Sequence, residues 1–156
     1  MAEYLGQIDG HGQRIGIVVA QFNSNVTQRL LDGALTSLAQ YGVAQNEITV
    51  VWVPGALEIP RAAQQLSASG KVDGIIALGS VIRGETSHYD YVCQGVSQGI
   101  AELSLHGPVP VLFGVLTTDN FEQAINRAGG KAGNKGSECV TGVLQMIHLG
   151  PWLQKN

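Results

Sequence analysis

Four short runs of this chain, Ile15–Ala20, Ile48–Val53, Gly74–Gly79 and Val109–Leu116, are continuously apolar rather than alternating, with Thr49 the one polar residue among them. A strand with one wet face alternates apolar and polar residues, whereas a continuous run needs cover on both faces, as in a parallel sheet flanked by helices. The segments between the runs carry helical spacing. Val26, Leu30, Ala34 and Leu38 share one helical face, as do Val92, Val96, Ile100 and Leu103, and again Val140, Val143, Leu144 and Ile147. Leu57–Leu66 reads as a shorter helix with Pro60 in its first turn, where a missing N–H costs nothing. Asn25 with Gln28, and Asp119 with Glu122, read as helix-start pairs. The order β-α-β-α-β-α-β-α-α predicts a three-layer α/β/α sandwich around a four-stranded parallel sheet, doubly wound and flavodoxin-like. Tyr4–Ile8 reads as an extra strand or an arm ahead of it. With no linker, low-complexity stretch or internal repeat, residues 1–156 read as one domain.

Such a sheet needs a core, and 44% hydrophobic residues supply one. Charged residues make up only 13%, against about 25% in an ordinary soluble domain. That deficit, with 21 glycines, predicts a surface that faces other subunits. A net charge of −3 argues against nucleic acid or anionic membrane as partner. No apolar run approaches the roughly 20 residues that span a bilayer. MAEYLGQIDG lacks the basic and apolar regions of a secretory signal, so a cytoplasmic location is expected. Cys93 and Cys139 are expected to be reduced and buried.

In open α/β sheets, ligands bind beyond the carboxyl ends of the strands. That rule selects Gln21-Phe22-Asn23, then Pro54–Glu58, then Ser80–His88, and finally strand four, which carries Phe113 and ends at Thr117-Thr118. Each has a plain structural reading. Phe22 suits a core or staple position as well as a stacking platform. Glu58 suits the positive end of a helix dipole as well as a hydroxyl ligand. Gly84-Glu85-Thr86 is either an ordinary turn or an anion site made of free N–H groups and the Thr hydroxyl. His88 sits two residues beyond it, at a helix start. His11, His106 and His148 have no metal-site spacing. RAGGKAGNKGSE, residues 127–138, is either a solvated inter-helix turn or a cationic cluster facing an anion. In the first reading Gly129-Gly130 stop one helix and Asn134 caps the next. The string lacks the spacing of a nucleotide P-loop.

VVWVPGALEIP, ALGSVIRGETSHYDYV, FGVLTT and EQAINRAGGKAGNKGSE, taken in order, resemble the signature blocks of the lumazine synthases. The resemblance runs from strand one to the last helix. It implies an enzyme with no cofactor, which condenses 5-amino-6-ribitylamino-2,4-pyrimidinedione with 3,4-dihydroxy-2-butanone 4-phosphate. The product is 6,7-dimethyl-8-ribityllumazine, the penultimate compound on the route to riboflavin. It also implies roles. Phe22 stacks on the pyrimidine. Ala56, Leu57 and Glu58 hold the ribityl chain, and the backbone of Ser80, Val81 and Ile82 reads the pyrimidine edge. Gly84, Glu85 and Thr86 bind phosphate, and His88 is the general base. Phe113, Arg127 and Lys135 reach the site from a neighbouring subunit, with Arg127 on the phosphate and Glu138 as partner of the cationic group. Gln21 and Tyr89 depart from the family's common Arg and Phe.

The same resemblance implies homo-oligomers: pentamers and, given the uninterrupted GGKAGNKG turn, a 60-subunit icosahedral shell, with riboflavin synthase as a partner. Two other functions compete. A flavin-binding module without turnover would need a phosphate loop after strand one, and Gln21-Phe22-Asn23 lacks the glycines or hydroxyls for one. A structural shell subunit would have lost its site residues, and Phe22, Glu58, His88 and Arg127 are all present.

Overall fold

A computed structural model spanning Met1–Asn156 bears out the predicted architecture. Strands β1 (Ile15–Ala20), β2 (Ile48–Val53), β3 (Gly74–Ile82) and β4 (Val111–Thr118) form one parallel sheet in the order β2-β1-β3-β4. Helices α1 (Ser24–Gln40) and α5 (Lys135–Lys155) pack on one face, with the short α4 (Phe121–Asn126). Helices α2 (Ile59–Ala68) and α3 (His88–His106) pack on the other.

The central strands explain why their sequences are unbroken. Ile15, Ile17 and Val19 of β1 join the core under α1 and α5, while Val18 and Ala20 join the core under α2 and α3. Ile76 and Leu78 of β3 divide from Ile75 and Ala77 in the same way. Each such side chain, fully buried, contributes about 1.5–3 kcal/mol. Arg14 and Asp73 lock the two strands at their amino ends through a paired contact of 2.7 Å and 3.2 Å. Hydrogen bonds from the Arg14 guanidinium hold the Asp73 carboxyl below its ordinary pKa.

β2 departs from expectation. It is an edge strand, and Thr49, Val50 and Trp52 are exposed. β1 pairs with one edge of it, and no strand of this chain pairs with the other. A bare apolar edge is a surface for a partner.

Helix starts shift by one or two residues. Before α1, Asn23 adopts the left-handed conformation (φ 60°) and its side-chain amide donates to Ser80 O at 2.7 Å, so Asn25 falls inside the first turn. Before α4, the cap is Asn120, whose Oδ1 accepts from Gln123 N–H. Gln123 in turn accepts from Asp119 N–H, which replaces the expected Asp119–Glu122 pair. Gly129-Gly130 do not end a helix. Residues Ala128–Gly130 (β5) and Gly133–Asn134 (β6) form a small antiparallel hairpin, with Gly129 and Gly133 at φ 101° and 83°. Asn134 does cap α5, accepting from Ser137 N–H at 3.2 Å.

Tyr4–Ile8 is an arm rather than a strand. Tyr4 donates to Gln145 O at 2.9 Å and rests on Trp152. Both cysteines are free thiols. Cys139 is buried, and burial pushes its pKa up to about 11. Cys93, on α3, is only half-buried, contrary to the expectation. No helix is long and apolar enough to cross a membrane.

Candidate active site

The chain leaves β1 toward β2 on one side and enters β3 and β4 on the other. The sheet therefore has its switch point between β1 and β3, where helices on opposite faces diverge and a crevice opens. A cleft of about 540 Å³ lies there. It is lined by the loops after β1 and β2, the end of β3 and the start of α3.

Backbone bonds continue the β1–β2 ladder beyond the strands: Gln21 N–H donates to Val53 O and Phe22 N–H to Pro54 O. They carry Phe22 onto the rim, where it is 72% exposed. An apolar ring held in water on a rigid backbone is a stacking surface, so the core reading of Phe22 fails. Opposite, a single 3₁₀ turn, Ala56–Glu58, precedes α2. Ala56 is buried there as a spacer, while Leu57 and Glu58 stay exposed at the cleft.

β3 forms the floor. It runs three residues past the predicted end, so Ser80, Val81 and Ile82 are strand residues within the cleft wall. Ser80 Oγ is buried without a hydrogen-bond partner. Gly84 and Thr86 line the far end, beside His88. Thr86 Oγ1 accepts from His88 N–H at 3.3 Å, leaving other amides at the start of α3 open to an anion. Glu85 is exposed but does not line the cleft.

Asn23, Pro54 and Gly55 fall in the loops selected from the sequence but were given no role there, and Tyr89 and Val92 were missed as lining residues; all five line the cleft. Tyr89 and Val92 follow His88 at helical spacing, and that period was the available signal. Burial pushes the Tyr89 phenol above its ordinary pKa.

Three expected residues lie outside the cleft of their own chain. Phe113 is on β4, opposite Ala77 of β3. That is three residues short of Ser80, or about 10 Å along the strand. It is exposed on the other edge of the sheet. Arg127 ends α4, is exposed, and donates only to Gln123 O of its own helix. Lys135 opens α5 and pairs with Glu138 at 2.8 Å. Glu138 therefore partners Lys135, and Arg127 has no carboxylate within ion-pair distance. No three His, Cys, Asp or Glu side chains gather where they could hold a metal ion.

The fold and site define an open, doubly wound α/β protein with a small-molecule cleft at its switch point. Residues 12–150 match the 6,7-dimethyl-8-ribityllumazine synthase family. The chain is 63% identical over 149 residues to a 6,7-dimethyl-8-ribityllumazine synthase of Pediococcus pentosaceus, covering 96% of each protein. It is 54% identical over 149 residues to a protein of the same name from Lactiplantibacillus plantarum, covering 96% of this chain and 94% of that one. The chain belongs to the 6,7-dimethyl-8-ribityllumazine synthase family.

Proposed function

We propose that this chain condenses 5-amino-6-ribitylamino-2,4-pyrimidinedione with 3,4-dihydroxy-2-butanone 4-phosphate. The products are 6,7-dimethyl-8-ribityllumazine, inorganic phosphate and water, in the penultimate step of riboflavin biosynthesis. The observation that carries this reading is the 63% identity across 96% of the chain to a protein of that name. The cleft is consistent with it: an exposed ring, an exposed carboxylate, a strand edge and an anion-ready helix start lie along one crevice.

The roles are those that the family resemblance implies, and the cleft supports them. Phe22 stacks on the pyrimidine, and Glu58 accepts from ribityl hydroxyls beside Ala56 and Leu57. Backbone groups of Ser80, Val81 and Ile82 pair with the pyrimidine edge. Amides of Gly84, Glu85 and Thr86 take the phosphate. The amine attacks the ketone, the carbinolamine loses water to give an imine, and phosphate leaves by elimination. Ring closure expels a second water. Each step moves a proton near neutral pH, a task suited to the imidazole of His88. Both reactants are intrinsically reactive, so most of the acceleration is positional, worth about 7–11 kcal/mol in favourable cases.

Phe113, Arg127 and Lys135 complete the site from a neighbouring subunit. What supports sharing is that all three lie outside their own chain's cleft while the β2 edge and Phe113 stay exposed. The assembly is a cytoplasmic pentamer, and twelve pentamers form a 60-subunit shell able to associate with riboflavin synthase. Light scattering on the purified protein should give the mass of the shell. A mass of five chains would remove the shell and keep the shared site; a monomer would remove both.

Formation of lumazine from the two substrates, followed by its fluorescence, tests the activity. The wild type should exceed the enzyme-free rate by orders of magnitude. His88→Ala should slow turnover by about 10²-fold with assembly intact, at the low end for a lost proton-transfer group because positioning survives. An unchanged rate in that variant would remove the general-base role.

A further inference from the structure

The loop Gly84–Ser87 carries the phosphate-binding amides in the reading above, yet little within it fixes its shape. All four residues are exposed. No atom lies within 4 Å of where a Gly84 Cβ would sit. Its only side-chain hydrogen bond is the one from His88 N–H to Thr86 Oγ1.

Arg83 stands at the root of this loop and is held from three sides. Its Nε donates to Asp119 Oδ1 at 3.2 Å. Its Nη1 donates to Asp90 Oδ1 at 3.4 Å. Its guanidinium carbon lies 4.2 Å from the centroid of the Tyr89 ring. Its backbone N–H donates to Thr118 O at 2.9 Å, the last rung between β3 and β4. These contacts join the end of β3, the turn before α4 and the first turn of α3. The loop begins at the first of these and ends at the third, so Arg83 fastens its two ends together.

We infer that Arg83 is a positioning residue: it fixes the span of the loop and the angle of the first turn of α3. The loop amides and His88 then face the phosphate-bearing substrate in register. This inference deepens the proposed function and rests on it. Arginine suits the task because a planar fork can serve two carboxylates while its face lies on an aromatic ring; lysine offers a point charge. Arg83 does not line the cleft, and its donors are turned to Asp119 and Asp90, so it is not a phosphate ligand.

The test uses the full-length assembled protein, with steady-state kinetics in each substrate and amide hydrogen exchange over residues 84–88. Arg83→Gln should raise KM for the butanone phosphate about tenfold and leave KM for the pyrimidine within about twofold, a loss of positioning at one substrate only. Arg83→Lys should recover part of it, to about threefold, because charge and the ring contact survive without the fork. Loop exchange should be faster in the Gln variant and intermediate in the Lys variant. Tyr89→Phe, which keeps the ring face, should leave loop exchange at the wild-type rate.

Asp119→Asn separates a clamp from a free charge by sign. A clamp weakens, and KM for the phosphate rises. A free guanidinium would be released toward the substrate, and KM would fall. A fall, or both KM values moving together with unchanged exchange in Arg83→Gln, would overturn the inference. Wild-type turnover is measured first: its absence would refute the proposed reaction, and loop exchange would then decide the clamp alone.

Discussion

Replacing Arg127 with alanine should lower kcat/KM for the butanone phosphate by about 10²–10³, the usual loss when one preorganised donor to a developing anion is removed. The guanidinium is exposed, and its one hydrogen bond goes to Gln123 O of its own helix. Arg83 is held by two aspartates and Lys135 by Glu138. Arg127 alone of these cations has no acidic partner to give up before it meets a phosphate. Its fork can donate two parallel bonds to phosphate oxygens, and it stays charged as phosphate departs. Stability should change little, since an exposed side chain with one hydrogen bond contributes little to folding. Thermal unfolding measured beside the kinetics would show whether lost activity is lost structure.

The same variant tests whether the site is shared. Co-expression of Arg127→Ala with His88→Ala in equal amounts should restore activity. In a closed ring where one subunit gives the cleft and its neighbour gives Arg127, about one site in four pairs an intact cleft with an intact arginine. If Arg127 instead served the cleft of its own chain, every site would lack one group and the mixture would be no faster than its better component.

All four strands and most of the cleft were legible in the sequence, β1 and β3 most directly, because local pattern and local environment agree there. β1 and β3 are buried on both faces, so their unbroken runs mean what such runs usually mean. The loops after β1, β2 and β3 were found because the carboxyl-end rule depends only on strand order. β2 has the expected bounds but not the expected burial, because an apolar run does not say whether this chain's own helices cover it. The α1 start misled because Asn23 spends its side chain on Ser80, far along the chain, and not on the helix. Residues 128–134 read as a turn because two short hairpin strands carry no periodicity. Arg83 was passed over because its partners are set by tertiary placement, with Asp119 on a different strand's exit. Phe113, Arg127 and Lys135 owe their roles to the family resemblance: the carboxyl-end rule picked out strand four, but Phe113 lies short of the cleft, and no spacing points Arg127 and Lys135 at it.

Gly136→Ala should destabilise the protein by about 3 kcal/mol, toward the upper end for overpacking a tight interface. Helix propensity argues the opposite sign, since alanine in a helix interior is favoured over glycine by about 0.8–1 kcal/mol. Contact decides between them. Gly136 is buried in the first turn of α5 against α1, and an added Cβ would lie 2.0 Å from Leu30 O and 2.8 Å from Leu30 C. Those are backbone atoms in the middle of a helix whose Leu30 side chain is fully buried, so they cannot swing aside. The third neighbour, Asn134 Oδ1 at 3.0 Å, is the cap of α5 itself. Relief therefore requires α5 to move off α1. That movement would strain the Asn134 Nδ2 bond to Arg29 O and carry Lys135 and the adjoining hairpin with it. At about 2–4 °C per kcal/mol for a chain of this size, Tm should fall by about 6–12 °C. A rise in Tm would mean that the α1–α5 contact yields freely; the fall expected here would show that it is rigid and sets where Lys135 stands.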